Sequence, residues 1–398
     1  MRISTHSIYQ QSVNAILQQQ SDLAKTQQQV ATGKRVVSAG QDPVAAVQLQ
    51  SLARLQGQQE QYAKNSNAAQ SRLQLEEQAL ADSTTVMQRI RELTLQANNA
   101  TITTSDRQAI ATEVRARIGE LQGIANRKDD NGDFLFSGYS AGKLPYSRDA
   151  SGQIAYAGDS GQRAVLIDAA VAVPDGDSGL AVFGSIKEGN GLFTTAAAPA
   201  NTGSGSIDTG TILNRAAWVR DTYTVSFTSA TTWQVTDGTS TVVASGSYVD
   251  GGSIAFNGIR VSVSGAPAAG DAFQVSPAGI TDIFGPLEQL ATTLVTMPDN
   301  DAARAQLNTA LAGSLQQVDQ SLDHLSGVRS EVGTRLSLID AVAGTRDSRL
   351  SDIATSLSQL QDLDYASAIS KMNQQYLGLQ AAQQAYVKVA GLSLFNYL

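Results

Sequence analysis

Both ends of this chain carry an apolar heptad repeat, and this pairing restricts the fold more than any other feature. Each repeat steps alternately by four and three residues, as coiled coils do. The N-terminal positions are Tyr9, Val13, Ile16, Gln20, Leu23, Gln27 and Val30, and the C-terminal ones are Tyr365, Ile369, Met372, Tyr376, Leu379, Gln383, Tyr386 and Ala390. We predict a terminal coiled coil that pairs the ends with each other and with neighbouring molecules.

Either repeat alone is more typical of an ordinary bundle helix than of a coiled coil. Two repeats at opposite ends, both with glutamine at core positions and few charged neighbours, favour self-association. A lone hairpin of two such helices buries little apolar surface. We therefore predict that residues 1–30 and about 365–398 become ordered only on assembly.

The sequence that follows the first repeat predicts a turn and then a long helix. Gly33 can end the first helix, and Asp42 and Pro43 can begin the next one as its N-cap and first residue. Apolar residues recurring at intervals of seven then predict one rod from Pro43 to about Asn98.

A third helix is predicted from Ser105 and Gln108, which have the spacing of a capping box. Its apolar face comprises Val114, Ile118, Leu121 and Ala125. Arg127 and Lys128 suit the negative end of the helix dipole, so we expect the helix to end at Lys128.

The segment DDNGDFLFSGY, residues 129–139, concentrates aromatic residues directly after this helix. Asn131 and Gly132 allow a residue with positive φ, and Phe134 and Phe136 would share one face of a short strand. Gly138 would permit a close backbone approach. We expect the two phenylalanines to clamp the next domain against the helices, although ordinary core packing predicts similar residues.

From Lys143 to Gly279 the apolar period changes to two, which predicts a β-rich insertion. Within it, the run TTAAAPANTGSGSIDTG suggests a mobile loop or a boundary between two sub-modules. Helical spacing returns at about Asp282, with an apolar face of Leu311, Leu315, Val318, Leu322, Leu325, Val332, Leu336 and Ile339. For both helical parts to share a bundle, the chain must enter and leave the β region at neighbouring points.

The predicted fold is thus α+β and multidomain, with a long helical coiled coil or bundle formed by the two terminal segments and an inserted β-rich outer domain. We expect residues 1–40 and 362–398 to form a terminal coiled-coil inner domain. Residues 41–142 and 281–361 would form a helical bundle, and residues 143–280 the outer domain.

Composition argues against several functions. The chain has no cysteine, so neither disulfides nor thiolate metal sites are available. A net charge of -8 without a basic stripe disfavours nucleic acid and anionic membranes as partners. No segment has the pattern of a cleaved signal peptide or a membrane span.

Motifs with catalytic or metal-binding chemistry are weak. Two GDSG segments resemble the serine loop of trypsin-like proteases, but His6 and His324 both lie in predicted helices, so turns are favoured. Asp129, Asn131 and Asp133 have part of the spacing of a calcium loop, without its glycine position or its final glutamate. We predict no catalytic residue, no cofactor, no metal and no enzymatic activity.

Three segments together resemble the bacterial flagellin superfamily: TGKRVVSAGQDPVAAVQL, ANRKDDNGDFLFSGY and KVAGLSLFNYL. The resemblance covers about residues 1–140 and 280–398, while the β region matches only loosely. Its motif positions are Gly33, Arg35, Asp42, Pro43, Asn131, Gly132, Phe134, Phe136, Gly138 and Tyr139.

The resemblance implies a non-enzymatic structural protein of the extracellular flagellum, exported through the flagellar type III apparatus without a cleaved signal peptide. It also implies that the terminal repeats line a central channel and that the β domain faces outward. The implied partners are other copies of the chain in a ring or helical layer, the first hook-associated protein, filament flagellin and an export chaperone.

Two other functions fit parts of the sequence. A filament flagellin shares the helical ends, but the start MRIST and the end LFNYL are more similar to subunits of the junction between hook and filament. A coiled-coil surface adhesin could use the β domain as a ligand-binding head. Polymerisation separates them, because only a flagellin should form long filaments by itself.

Overall fold

The computed structural model describes residues 5–99 and 102–391. In the described residues the order of elements is helical, then β, then helical, which confirms the predicted fold class. The helices are α1 (Thr5–Thr32), α2 (Pro43–Ala97), α3 (Thr104–Ala125), α4 (Gly179–Phe183), α5 (Phe284–Thr296), α6 (Asp301–Gln361) and α7 (Tyr365–Gly391), with a 3-10 turn at Arg215–Ala217. The segments MRIST and LFNYL, on which the distinction from flagellin relied, lie mostly or wholly outside the described residues.

Antiparallel strands fill the chain between α3 and α5. They are β1 (Tyr146–Arg148), β2 (Ile154–Tyr156), β3 (Ala164–Asp168), β4 (Val171–Pro174), β5 (Ile186–Lys187), β6 (Phe193–Ala197), β7 (Ser206–Ile207), β8 (Thr211–Ile212), β9 (Tyr223–Ser229), β10 (Thr232–Thr236), β11 (Val242–Ser247), β12 (Ser253–Phe256), β13 (Ile259–Ser264), β14 (Ala272–Pro277) and β15 (Ile280–Thr281). One sheet has the order β11-β10-β9-β14-β6, and another has the order β12-β13-β7 with β8 also on β13. Three two-stranded pairs complete the region: β1 with β2, β3 with β4, and β5 with β15.

The two larger sheets share one apolar core. Alternate residues of β9 and β13 point into it, as the period of two predicts. Its buried members are Phe193, Ile207, Tyr223, Val225, Phe227, Val235, Ile254, Phe256, Ile259, Val261, Val263, Phe273 and Val275.

For the run TTAAAPANTGSGSIDTG, the first of the two predicted alternatives, a mobile loop, is wrong. It forms most of β6 and all of β7, and so passes from the five-stranded sheet to the other one. The carboxylate of Asp271 accepts hydrogen bonds from the N–H groups of Thr202 at 2.8 Å and Gly203 at 3.1 Å. These bonds order a stretch that its composition alone suggests is flexible.

The chain divides into two compact units. One contains the described parts of Met1–Lys64 and Ala341–Leu398, and the other is Asn65–Asp340. The three-domain division made from the sequence stays a prediction. Within residues 5–99 and 102–391, no helix combines the length and apolar character needed to cross a bilayer.

The start of α2 agrees with the prediction that Asp42 is its N-cap, because Asp42 Oδ1 accepts a hydrogen bond from the N–H of Ala45 at 3.0 Å. The start of α3 does not. Its capping box joins Thr103 and Asp106, whose side chains accept from each other's N–H groups at 3.2 and 3.1 Å. The predicted box of Ser105 with Gln108 is wrong, since Thr103 and Asp106, each two residues earlier, make the reciprocal bonds instead.

The end of α3 also differs from the prediction, which placed it at Lys128. The helix ends at Ala125, and Asn126 follows it as the C-cap. The Asn126 side chain accepts from Tyr146 N–H at 2.9 Å and donates to Tyr146 O at 2.8 Å. These bonds tie the chain to β1 and replace the next helical turn.

Candidate functional site

The two terminal helices, α1 and α7, pack against each other as an antiparallel hairpin. The rings of Tyr9 and Tyr386 make an edge-to-face contact with centroids 5.0 Å apart. A Cβ added to Gly378 would lie 2.5 Å from Gln19 Nε2, so the helices come close there. The structure thus brings the two heptad repeats together within one chain.

On α1 most of the predicted repeat faces the hairpin. Leu23 is buried, and Val13, Ile16 and Val30 are half-buried. Gln20 and Gln27 are exposed, whereas Thr26 is buried and donates to Asp22 O at 3.0 Å. The sequence pattern therefore missed polar residues of this face, such as Thr26 and the half-buried Gln19.

On α7 the least exposed face is shifted from the predicted repeat. Its buried and half-buried residues step by 4, 3, 4, 3 and 4, namely Ala368, Met372, Gln375, Leu379, Ala382 and Tyr386. Met372, Leu379 and Tyr386 belong to both sets. Tyr365, Ile369, Tyr376 and Gln383 are exposed instead. The hairpin uses the smaller side chains, which let two helices approach closely.

Four exposed apolar residues of α7 form a second surface, which we call the exposed stripe. Tyr365, Ile369, Tyr376 and Val387 are 51%, 43%, 58% and 68% exposed. A helix turns by about 100° per residue, so these four residues fall within a sector of about 40° around the axis of α7. This sector lies about a quarter turn away from the hairpin face. Leu17 on α1 is also exposed, at 57%. Clustered apolar side chains without cover are typical of a surface that binds another protein.

The motif residues Gly33 and Arg35 join the turn after α1 to the turn after α6. Arg35 N donates to Gln361 O at 2.6 Å, and Leu363 N donates to Gly33 O at 3.0 Å. The Arg35 guanidinium donates to Leu360 O at 2.8 and 3.2 Å, placing a cation at the negative end of α6. Arg35 Nη1 also lies 3.8 Å from Asp42 Oδ2.

We expect Gly33→Ala to loosen this joint. Gly33 has φ +69°, and an added Cβ would lie 2.8 Å from Tyr365 Oη. A left-handed conformation at a non-glycine residue costs about 1–2 kcal/mol. Amide exchange in Thr5–Thr32 and Tyr365–Gly391 should become about 5- to 30-fold faster in the isolated chain.

Gly40→Ala is the matched control, because nothing lies within 4 Å of its added Cβ and its φ is not in the left-handed range. It should leave exchange unchanged or slightly slower. Equal exchange in the parent chain and Gly33→Ala would instead support the prediction that the ends become ordered only on assembly.

In the second unit, the segment 129–139 is a compact turn. The expectation of positive φ is confirmed by Gly132, at +87°. Phe134 and Phe136 are buried, but the expected strand is wrong, because Leu135 and Phe136 lie in a turn and the first strand after α3 begins at Tyr146. Lys128 and Phe134 form only an isolated bridge.

Arg72 of α2 explains the shape of this turn. Its Nη2 donates to Phe134 O and Leu135 O, both at 3.2 Å, and its Nη1 lies 2.6 Å from Asp129 Oδ2. Two successive carbonyls that point at one guanidinium cannot alternate as they do in a strand. Sequence patterns do not indicate this partner, because Arg72 lies 57 residues before Asp129.

Phe136 belongs to an aromatic cluster that also contains Tyr146, Phe183 and Phe284. Phe136 meets Phe183 edge to face at 5.1 Å, and the rings of Tyr146 and Phe284 lie 5.0 Å apart. Tyr146 begins the β region and Phe284 begins the helix after it. The cluster therefore confirms that the chain enters and leaves the β region at neighbouring points.

The first GDSG segment holds the end of the same turn. Asp159 accepts hydrogen bonds from the N–H groups of Tyr139 and Ser140, both at 2.9 Å. Chiefly the Tyr139 N–H, with Ser140 and Gly161, lowers the pKa of Asp159 to about 2. Gly138 has φ +71°, and a Cβ there would lie 2.3 Å from Asp159 Oδ1, so the predicted close approach is confirmed.

The second GDSG segment is also structural. Ser178 caps α4 by accepting from Ala181 N at 3.3 Å, and Asp177 binds the Arg335 guanidinium through both oxygens at 2.8 and 3.1 Å. His324 Nε2 lies 2.8 Å from Ala181 O. Ser178, Asp177 and His324 therefore cap a helix, bind an arginine and contact a backbone carbonyl. Among the described residues they do not form the Ser-His-Asp arrangement of a protease.

Asp129 is likewise engaged by protein groups. Besides Arg72, its carboxylate accepts from the N–H groups of Asn131 at 2.9 Å and Asp133 at 3.0 Å. No group of three or more His, Cys, Asp or Glu side chains suited to a metal ion occurs in the described parts of the chain.

Comparisons with known proteins all find flagellar proteins. Residues 3–141 match the family described as the bacterial flagellin N-terminal helical region. Residues 197–277, in the β region, match the family described as flagellar hook-associated protein 1, D2-like domain.

Individual relatives match over different lengths. Flagellar hook-associated protein 3 of Escherichia coli (strain K12) is 26% identical over 397 residues, covering 100% of this chain and 99% of the relative. The crystal structure of the flagellar junction protein FlgL from Legionella pneumophila is similar with a TM-score of 0.73 and 32% identity, over 79% of this chain and 99% of that one. The flagellin of Bacillus subtilis (strain 168) is 31% identical over 141 residues, 35% of this chain and 46% of the relative.

Proposed function

Because this chain belongs to the FlgL family of flagellar hook-associated protein 3, we propose that it is a structural subunit of the bacterial flagellum at the junction between hook and filament. The observation that carries the proposal is the length of the match. Flagellar hook-associated protein 3 of Escherichia coli aligns along the whole chain, the β region included, whereas the flagellin of Bacillus subtilis aligns over 141 residues, 35% of the chain.

Self-association in a ring or helical layer is the second part of the proposal. The exposed stripe supports it, because four large apolar side chains lie on one side of α7 without cover in the chain. The hairpin face of α7 is already occupied by α1. A helix with one face used within the chain and another left apolar can contact a neighbouring copy without dismantling its own hairpin.

We propose three further protein partners: the first hook-associated protein on the hook side, filament flagellin on the other side, and an export chaperone before assembly. The proposed route is export through the flagellar type III apparatus without a cleaved signal peptide. The surface charge supports neither nucleic acid nor an anionic membrane as a partner, since the net charge is -8. The proposed role is non-enzymatic.

Deleting the gene and restoring it tests the function directly. We expect cells without it to carry hooks but no filaments, to release flagellin into the medium and to lose swimming. Expressing the chain from a plasmid should restore all three. Electron microscopy of the cells and immunoblotting of the medium provide the measurements.

The same strain separates the two alternatives. Normal filaments on cells that lack the chain would contradict the junction function. If the purified chain polymerised alone into long filaments, it would be a flagellin. If its absence changed only adhesion to a surface, the coiled-coil adhesin with a β ligand-binding head would be favoured.

A further inference from the structure

Glu76 is the most deeply buried acidic side chain among the described residues. It lies in the middle of α2 with 1% of its surface exposed. Its Oε1 accepts a hydrogen bond from Asp177 N at 3.2 Å, whereas Oε2 has no hydrogen-bond partner among the described residues. An ionised carboxylate in this position would lose most of its hydration without replacement, which is costly.

The surrounding charges already balance without Glu76. Three pairs surround it, namely Arg72 with Asp129 at 2.6 Å, Arg335 with Asp177 at 2.8 Å and Arg163 with Asp175 at 2.6 Å. A further acid on α6, Glu331, lies 3.5 Å from Arg335 but is itself largely exposed. Each aspartate of these three pairs therefore has its own cation, and Glu76 is the acid among them without one.

Close packing leaves Glu76 little room to reach water. A Cβ added to Gly176 would lie 3.4 Å from Arg72 Nε and 3.7 Å from Glu76 Oε2. The 175–177 backbone therefore covers the side chains of α2. Burial first, and the nearby Asp177 carboxylate second, raise the pKa of Glu76 to about 8, against a smaller opposing effect of Arg335.

We propose that Glu76 is a pH-sensitive latch inside the Asn65–Asp340 unit. As a neutral acid it lets α2, the segment at Asp177 and Arg335 of α6 pack around balanced charges. When mildly alkaline solution ionises it, a negative charge appears beside Asp177, where the cations of the three pairs are already engaged, and this contact loosens.

The direction of the pH effect follows from the two states of the chain. In the folded chain the pKa of Glu76 lies above its unfolded value of 4.5. The stabilising contribution is therefore complete below about pH 4.5 and is lost progressively as pH rises to about 8. Within that range this one group multiplies the unfolding equilibrium constant by up to about tenfold per pH unit.

The experiment compares the full chain with E76Q. Glutamine keeps the shape of the neutral acid and does not ionise, so E76Q should lack this part of the pH dependence. Urea unfolding followed by circular dichroism between pH 4 and 9 should show equal stability near pH 4 and an increasing advantage for E76Q up to about pH 8. E77Q is the matched control, because Glu77 pairs with Arg329 and is one-third exposed. It should parallel the parent chain.

Infrared spectroscopy supplies an independent measurement that needs no variant to fold. At neutral pD the folded parent chain and E77Q should show the carbonyl absorption of a protonated carboxyl group, and the urea-unfolded chain should not. Parallel pH curves for the parent chain and E76Q would overturn the proposal. So would the absence of the protonated carboxyl band from the folded parent chain.

Discussion

Replacing Phe136 by alanine should destabilise the Asn65–Asp340 unit by about 3–5 kcal/mol, a large fraction of the stability of an ordinary domain. Phe136 is fully buried and meets Phe183 edge to face at 5.1 Å. Removal of the Phe136 ring leaves a cavity in the aromatic cluster. This cluster lies where the chain enters and leaves the β region. Urea unfolding of the purified chain measures the change.

The backbone at Phe136 adds to the expected loss. Phe136 O accepts hydrogen bonds from Gly179 N at 2.7 Å and from the Tyr156 hydroxyl at 3.0 Å. A backbone that relaxes into the new cavity would weaken both bonds. Weakening these two bonds would move the loss of unfolding free energy toward the upper end of the expected range.

Tyr139→Ala is the matched control, since Tyr139 belongs to the same sequence motif but is 68% exposed. It gives up one hydrogen bond, from its hydroxyl to Gln162 O at 3.0 Å. We expect a loss of about 1 kcal/mol. Equal losses for the two variants would contradict the assignment of Phe136 to the core.

Local patterns predicted the elements that depend on local forces. Heptad spacing identified α1 and α7, the pair Asp42–Pro43 identified the start of α2, and alternation identified the β region. In each case one short stretch contains both the residues and the reason for the structure. Turn chemistry at Gly132 and Gly138 was predictable for the same reason, since positive φ favours glycine.

Contacts between distant residues were not predictable in this way. Arg72 bends the turn at Phe134, and its position on a helical rod gives no sign of that contact. Phe183 and Phe284 join Phe136 across long stretches of sequence. In the sequence of α2, Glu76 has the character of an exposed charged residue. Only the contact with Asp177, 101 residues later, shows that it is buried.

The register of α7 shows the limit of a periodic pattern. Two sets of residues with the same alternating step fit the helix, one through Ile369 and Tyr376 and the other through Ala368 and Ala382. Hydrophobicity favours the first set. Packing in the chain uses the second, because small side chains allow α1 to come close. Hydrophobic spacing alone therefore could not tell the hairpin face from the exposed stripe.

Ile369→Asp should leave the isolated chain folded and stop its assembly. Ile369 is 43% exposed, so the carboxylate remains hydrated in the single chain and melting should change little. In an assembled layer the exposed stripe would be covered, and an unpaired carboxylate there costs several kcal/mol in every subunit. Thermal melting and recovery of swimming in the deletion strain are the two measurements.

Leu379→Asp, which the heptad pattern favours equally, is a less selective change. Leu379 is half-buried on the hairpin face, so aspartate there would disturb the contact with α1 as well as any assembly. A variant that melts early and also fails to assemble would not separate the two causes. Ile369 offers the cleaner position, because it is exposed and lies about a quarter turn from the hairpin face.

Gln374→Asp provides the control for charge. Gln374 is exposed on the same helix, and at about 100° per residue it lies about 140° from Ile369. It adds the same negative charge to α7 without entering the exposed stripe, so swimming should be restored as fully as by the parent chain. If Ile369→Asp also restored swimming, the stripe would not be an assembly surface. If both variants failed, the added charge itself would be responsible.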